Sequence, residues 1–191
     1  TVVQLLPALH SGGVERSTLE IAAALVAAGH RSVVISAGGR LVERLVAGGS
    51  EHIALPIGRK SLSAFRTAFV LRRTLAALRP DLVHARSRLP AWLARFALRG
   101  LPAQRPHFVT TVHGMNSPGR YSGVMRSGEA VICVSETVRA YVLRHWPDTD
   151  PARLHVVPRG VDTADFPRGF VPSEEWRDAW KMQYPALQGG R

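Results

Sequence analysis

Between residues 7 and 16 the chain reads Pro7-Ala8-Leu9-His10-Ser11-Gly12-Gly13-Val14-Glu15-Arg16, a loop whose glycine pair stands directly before an apolar helical stretch. Two adjacent glycines let the backbone bend sharply and bring its N–H groups close to a bound group. The free amides and dipole of a helix start favour phosphate or carboxylate there. The residues spell neither G-x-G-x-x-G nor a P-loop, and a plain tight turn accounts for them equally well. Two further segments have the residue types for anion chemistry. Arg86-Ser87-Arg88 sets two guanidinium forks around a hydroxyl, a pattern suited to phosphate or carboxylate and equally to ordinary surface charge. His113-Gly114 puts an imidazole at a strand end beside a residue that gives the chain room to turn, a position where a histidine hydrogen-bonded to a neighbouring loop is the ordinary reading. His10 stands close enough to the glycine pair to reach the same ligand, whereas His84 sits inside an apolar run and reads as packed. The histidines show no metal-ligand spacing, and no metal or other cofactor is expected.

The elements that must position these residues alternate regularly. Apolar runs at 1–6, 32–37, 51–55, 82–85, 107–112, 130–134 and 153–157 read as strands. Helical patterns fill 14–28, a short stretch opened by Gly38-Gly39 and running toward Ala47, then 61–78, 90–98 and 136–145. Gly29 and Pro80 stop the first and the longest of these. Continuously apolar strands separated by helices call for a parallel sheet covered on both faces. The expected fold class is therefore α/β, a doubly wound parallel sheet of Rossmann type, with its crevice at the carboxyl ends of the strands. That rule gives weight to the loops after Leu6, Ala85, Val112 and Val134. Residues 1–158 read as this domain and 159–191 as a linker, with a short helix over 173–182 capped by Ser173.

Composition narrows the class of partner. The chain has 191 residues, enough for one substantial domain, with 46% hydrophobic and 20% charged residues. No apolar run approaches the roughly 18 residues needed to cross a bilayer. Cys133, the single cysteine, lies within Ala130-Val131-Ile132-Cys133-Val134 and reads as a buried thiol in a reducing, cytoplasmic setting. The formal charge of +11 favours an anionic partner. Nucleic acid is not the expected one, because arginines are spread through helices and no reading motif for DNA or RNA is present.

Gly12-Gly13-Val14-Glu15-Arg16, its apolar helix and Ala27-Ala28-Gly29-His30 together resemble the opening of retaining GT-B glycosyltransferases. The similarity is to the group that includes lipopolysaccharide-core and phosphatidylinositol mannosyl transferases. Thr111-Val112-His113-Gly114, Val134-Ser135, and Val157-Pro158-Arg159-Gly160-Val161-Asp162 followed by Phe166 agree in order and approximate spacing. Arg159 stands where many members have asparagine and a minority arginine. The resemblance implies a Rossmann-like acceptor-side domain, with 159–191 leading toward a donor-binding domain that carries most nucleotide-sugar contacts. It also implies that this half alone is inactive. Gly12 and Gly13 would face the donor diphosphate, and His113 would contact the donor sugar near the reacting carbon. His10, Arg86, Ser87 and Arg88 would hold the acceptor, a lipid, a lipopolysaccharide core or another glycan. For retaining enzymes of this fold the resemblance implies front-face transfer, with the leaving diphosphate helping to remove the acceptor proton, so the enzyme would supply positioning and charge stabilisation.

The helix expected over 61–78 has Ala64, Ala68, Leu71, Leu75 and Leu78 on one face for core packing. Arg66 and Arg73 lie opposite, Phe65 and Phe69 fall between, and Arg59-Lys60 stand just before it. Such a face is either simply solvated or rests on an anionic bilayer, as basic helices do in the resembling membrane-associated transferases. The second case would make the protein peripheral on the inner face of the plasma membrane. Two alternatives stay open beside transfer. One is a non-catalytic Rossmann-like module that binds an anion, and the other is half of a GT-B nucleotide-sugar epimerase.

Overall fold

The computed structural model describes residues 1–59, 64–101, 105–160, 163 and 167–187. Lys60, the start expected for the long helix at Ser61, and Val161, Asp162 and Phe166 lie outside these, as does the side chain of Ala64. The chain forms two compact units, Thr1–Arg159 and Gly160–Arg191.

The larger unit is built on seven parallel strands: β1 (Val2–Leu5), β2 (Ser32–Ser36), β3 (Glu51–Ala54), β4 (Leu82–Ala85), β5 (His107–Val112), β6 (Ala130–Cys133) and β7 (Leu154–Val156). Their order across the sheet is β3-β2-β1-β4-β5-β6-β7. The chain runs outward from β1 to β3, then returns to β4 on the other side of β1. Loops leaving β1 and β4 therefore diverge, and a crevice opens between them at the carboxyl ends. The helices are α1 (Gly13–Ala27), α2 (Val42–Ala47), α3 (Ala64–Leu78), α4 (Arg88–Arg99) and α5 (Glu136–His145). The sheet is thus the doubly wound α/β arrangement that the element order predicts.

Burial sorts the sheet into two faces. Val3, Leu5, Val33, Ile35, Val83 and Ala85 pack with Leu71, Leu75, Ala91 and Ala94 of α3 and α4. Leu6, Leu9 and Val34 pack with Ala22 and Leu45 of α1 and α2. In α3, Leu71 and Leu75 are fully buried and Ala68 and Leu78 are packed against the core, so the expected stripe is the inward face. Each fully buried leucine is worth roughly 1.5–3 kcal/mol of transfer from water. Cys133 is buried, and burial pushes its thiol up, away from reactivity.

Differences from the sequence reading are local. Helix α2 begins at Val42 rather than at Gly38-Gly39, because both glycines have positive φ and serve a turn. A Cβ on Gly39 would strike the Leu9 carbonyl, so only glycine fits there. Helix α4 begins at Arg88, two residues earlier than expected, with Pro90 accommodated in its first turn, where no backbone donor is needed. A 3-10 turn at Ser122–Arg126 was not legible as an element, being too short to show a period.

The smaller unit contains α6 (Glu174–Gln183). Ser173 caps it by accepting a hydrogen bond from the Trp176 N–H at 3.2 Å, and Glu174 and Glu175 complement the dipole in its first turn. Trp176 and Trp180 stack along it with ring centroids 6.3 Å apart.

Candidate active site

A cavity of about 390 Å³ occupies the crevice, lined by Leu6, Pro7, Val14, Glu15, Arg86, Ser87, Arg88, Thr111, His113, Gly114, Asn116 and Met125. The loops after β1, β4 and β5 and the start of α1 supply nearly all of these residues. Parallel pairing aligns Gln4 of β1 with His84 of β4. Side chains alternate along a strand, so Gln4, His84 and the residue two further on, Arg86, share the face beneath α1.

That parity separates the two arginines of Arg86-Ser87-Arg88. Arg86 is only 3% exposed. Its guanidinium donates to Gln4 Oε1 at 3.1 Å and to the Ser17 hydroxyl of α1, and its Nε has no partner among the described residues. Burial, reinforced by nearby Arg159 and opposed by Glu20, draws Arg86 down to about 10. A cation held there without a contacting carboxylate presents positive potential to the crevice from below. Arg88, the first residue of α4, stays at the rim, donating to Ser122 Oγ at 3.3 Å with its guanidinium 5.4 Å from the Tyr121 ring. Ser87 precedes α4 in extended conformation, and its side chain makes no capping bond.

His113 is partly buried, and Arg159 reaches it from 46 residues away, with Nη2 2.8 Å from His113 Nδ1. A guanidinium only donates, so Nδ1 accepts and the imidazole proton belongs on Nε2. Nε2 is buried with no partner among the described residues. Burial first, then the charges of Arg86 and Arg159, push His113 down to about 3. The ring is neutral near pH 7 and is a donor at Nε2 rather than a poised base. His84 is buried beside it in the same potential. Its Nε2 lies 2.6 Å from Thr111 Oγ1, and burial, Arg86 and His113 push it down to about 3 as well.

The glycine pair divides its labour. Gly12 has φ +133°, a left-handed conformation, and a Cβ there would also meet the Glu15 carboxylate at 2.6 Å. Gly13 begins α1 without positive φ, and a Cβ on it would meet only the Arg159 guanidinium. Arg159 thus stands over the helix start as well as against His113. A cation at a helix N-terminus is electrostatically misplaced unless an anion joins it. Gly12→Ala should therefore cost about 1–2 kcal/mol of stability, whereas Gly13→Ala should melt within a degree or two of wild type, because a flexible guanidinium can give way. Thermal melts of the two variants check this, and equal losses would contradict the division.

His10 is exposed, with its carbonyl accepting from Arg40 Nε at 2.7 Å. Arg59, Arg66 and Arg73 are exposed and do not line the crevice; Lys60 is outside the described residues. Glu15, Gln4, Ser17, Thr111 and Arg159 enter the site without having been singled out from the sequence as its ligands. A lone glutamine in Val2-Val3-Gln4-Leu5-Leu6 and a Ser-Thr pair in an apolar helix were the available signals. Among the described residues no cluster of His, Cys, Asp or Glu could hold a metal.

The fold has known counterparts. A glycosyltransferase from Rickettsia africae superposes with TM-score 0.75 at 27% identity, over 98% of this chain and 50% of that one. HepE from Anabaena, solved with UDP-glucose, superposes with TM-score 0.72 at 16% identity over 98% and 50%. WaaG, a glycosyltransferase of lipopolysaccharide biosynthesis, gives TM-score 0.65 at 14% identity over 100% and 53%. The chain spans about half the length of these proteins. No curated protein sequence matches it. Residues 11–165, from the glycine-pair loop through the segment that carries Arg159, match Glycosyltransferase Family 4, and the chain belongs to that family.

Proposed function

We propose that this chain is the acceptor-side half of a retaining hexosyltransferase, which moves a sugar from a nucleotide-sugar donor to a lipid, lipopolysaccharide-core or other glycan acceptor. The reading rests on the convergence of Arg88, Arg159 and neutral His113 around the helix start at Gly13, above buried Arg86. HepE, with UDP-glucose bound, supports a nucleoside-diphosphate sugar as donor. Gly12 and Gly13 would let the diphosphate approach the first turn of α1, and the Arg159 guanidinium would turn onto it. His113 would face the donor sugar as a neutral imidazole once Arg159 leaves its Nδ1. His10, Ser87 and Arg88 would hold the acceptor, with Arg86 supplying potential from beneath. Preorganised positive charge of this kind would stabilise the negative charge that builds on the departing diphosphate in an oxocarbenium-like transition state. The 159–191 segment would connect to the half that grips the nucleotide. The purified 191-residue chain should then turn over no nucleotide sugar, measured as nucleoside diphosphate released, while the two-domain enzyme does. Turnover by the chain alone would overturn the division of labour.

The outer surface of α3 supports a peripheral membrane location. Phe65 is 81% and Phe69 56% exposed, with Arg73 5.9 Å over the Phe69 ring and Arg66 exposed nearby. No helix among the described residues is long and apolar enough to cross a membrane, so contact would be interfacial. Each basic residue near an anionic surface contributes about 1 kcal/mol. Arg66→Ser with Arg73→Ser should weaken co-sedimentation with anionic vesicles by roughly tenfold or more, and raised salt should do the same. Equal binding to neutral and anionic vesicles would leave α3 a solvated face.

A further inference from the structure

A second concentration of arginine lies at the opposite edge of the sheet from the crevice. Helix α4 starts beside the carboxyl end of β4 and runs back, so Arg95 and Arg99 approach the amino edge. Ser127 follows the 3-10 turn before β6, and Arg153 directly precedes β7. Arg95, Arg99, Arg126 and Arg153, with Gly123 and Ser127, line an open concavity of about 420 Å³.

These guanidinium groups are held in place by contacts that leave most of their charge unmatched. Arg153 donates to the Gly128 carbonyl and, at 3.4 Å, to the Glu129 carbonyl; both acceptors are neutral. Arg95 and Arg99 lie 5.9 and 6.0 Å over the rings of Trp92 and Phe96. Among the described residues only Arg126 of the four is paired with a carboxylate, Asp148 at 2.7 Å, and it also donates to Thr149 at 3.4 Å. Among the described residues four cations thus face one carboxylate, and none of the lining residues is acidic. Repulsion among like charges costs stability unless an anion enters. Forked donors fixed by ring and carbonyl contacts are preorganised for phosphate oxygens, while the Gly123 and Ser127 positions leave room between them.

We propose that this concavity is a second anion site, separate from the transfer crevice, and that it takes a terminal phosphate group. Arg95 and Arg99 supply the side of the clamp held by ring contacts, and Arg126 and Arg153 the side held by hydrogen bonds. The site stands on this geometry and does not depend on the transferase reading.

The test titrates inorganic pyrophosphate into the 191-residue chain carrying Arg88→Gln, which weakens the crevice, and into the same chain with Arg95→Gln and Arg99→Gln added. Neither added substitution removes a buried contact, so both proteins should melt together. Loss of two charge-assisted donors should weaken pyrophosphate binding at least about tenfold. A parallel sedimentation compares phosphatidic acid vesicles with phosphatidylglycerol vesicles of matched surface charge. A preference for phosphatidic acid that disappears with Arg95→Gln and Arg99→Gln identifies the phosphate as a lipid headgroup. Pyrophosphate binding that depends on the two arginines, without that preference, identifies a soluble phosphate ester. If the two substitutions change neither pyrophosphate affinity nor vesicle preference, the site does not exist.

Discussion

Replacing His113 with alanine should lower sugar transfer by roughly 10²-fold or more in the two-domain enzyme while leaving its thermal midpoint within a few degrees of wild type. The split follows from what the imidazole does in the fold. Its Nδ1 accepts one bond from Arg159, an exposed side chain that can solvate itself once released. Its Nε2 has no partner among the described residues, so the ring leaves no hydrogen bond unmade beneath it. Some stability is lost with the packed ring, and some is recovered by removing a buried unpaired donor. The transition state, by contrast, would lose a polar contact to the donor sugar near the reacting carbon. Because the ring resists protonation and acts as a neutral polar group, His113→Gln, which keeps a neutral donor and acceptor, should recover part of the rate. Steady-state kinetics of wild type, His113→Ala and His113→Gln read this directly. Activity of the alanine variant within a factor of two would make His113 a packed loop residue and nothing more.

Acid should unfold this domain earlier than its carboxylates alone would dictate. His84 and His113 are both held near 3 in the folded chain, against 6.5 for a free imidazole. Between those values the unfolded chain takes up protons that the folded chain refuses, so stability falls as pH drops. The contribution is complete above about pH 6.5 and is lost progressively toward pH 3. A shift of that size corresponds to at most about 5 kcal/mol per histidine, and partial hydration on opening will reduce it. Neighbouring charges act beside burial on both groups: Arg86 on each, Arg159 on His113, and His113 on His84. The thermal midpoint measured from pH 7.5 to 4 should therefore fall steeply below 6.5, and His113→Gln should flatten that limb. A midpoint flat down to pH 5 would mean that the histidines ionise in place and that the crevice is wetter than its geometry implies.

The sequence made the scaffold legible because the scaffold is written in local patterns. The apolar strands Ser32–Ser36 and Leu82–Ala85, the stop at Pro80 and the glycine pair before α1 each carry their meaning within a few residues. The same is true of the crevice's position, which follows from strand order and not from any side chain. What stayed hidden depends on contacts distant along the chain. Arg86 and Arg88 differ by two positions, yet one is buried against Gln4 and Ser17 while the other opens α4. Nothing in Arg86-Ser87-Arg88 announces that difference, because it is decided by where the strand ends and the helix begins. The Arg159–His113 bond spans 46 residues and carries no periodic signal. Glu15 was visible as a helix-start residue, but its place in the crevice wall depends on the angle at which α1 leaves the sheet.

Glu15 also sharpens the mechanistic question, since it is a carboxylate in the crevice wall. If Glu15 acted as a base toward an acceptor attacking from behind the sugar, the product would have inverted configuration. If the cationic crevice and neutral His113 govern the step, departure of the diphosphate and attack by the acceptor occur on one face. The most direct measurement is the anomeric configuration of the first product formed by the two-domain enzyme, read by proton NMR against that of the nucleotide-sugar donor. Retention of configuration is the predicted result; an inverted product would contradict the account.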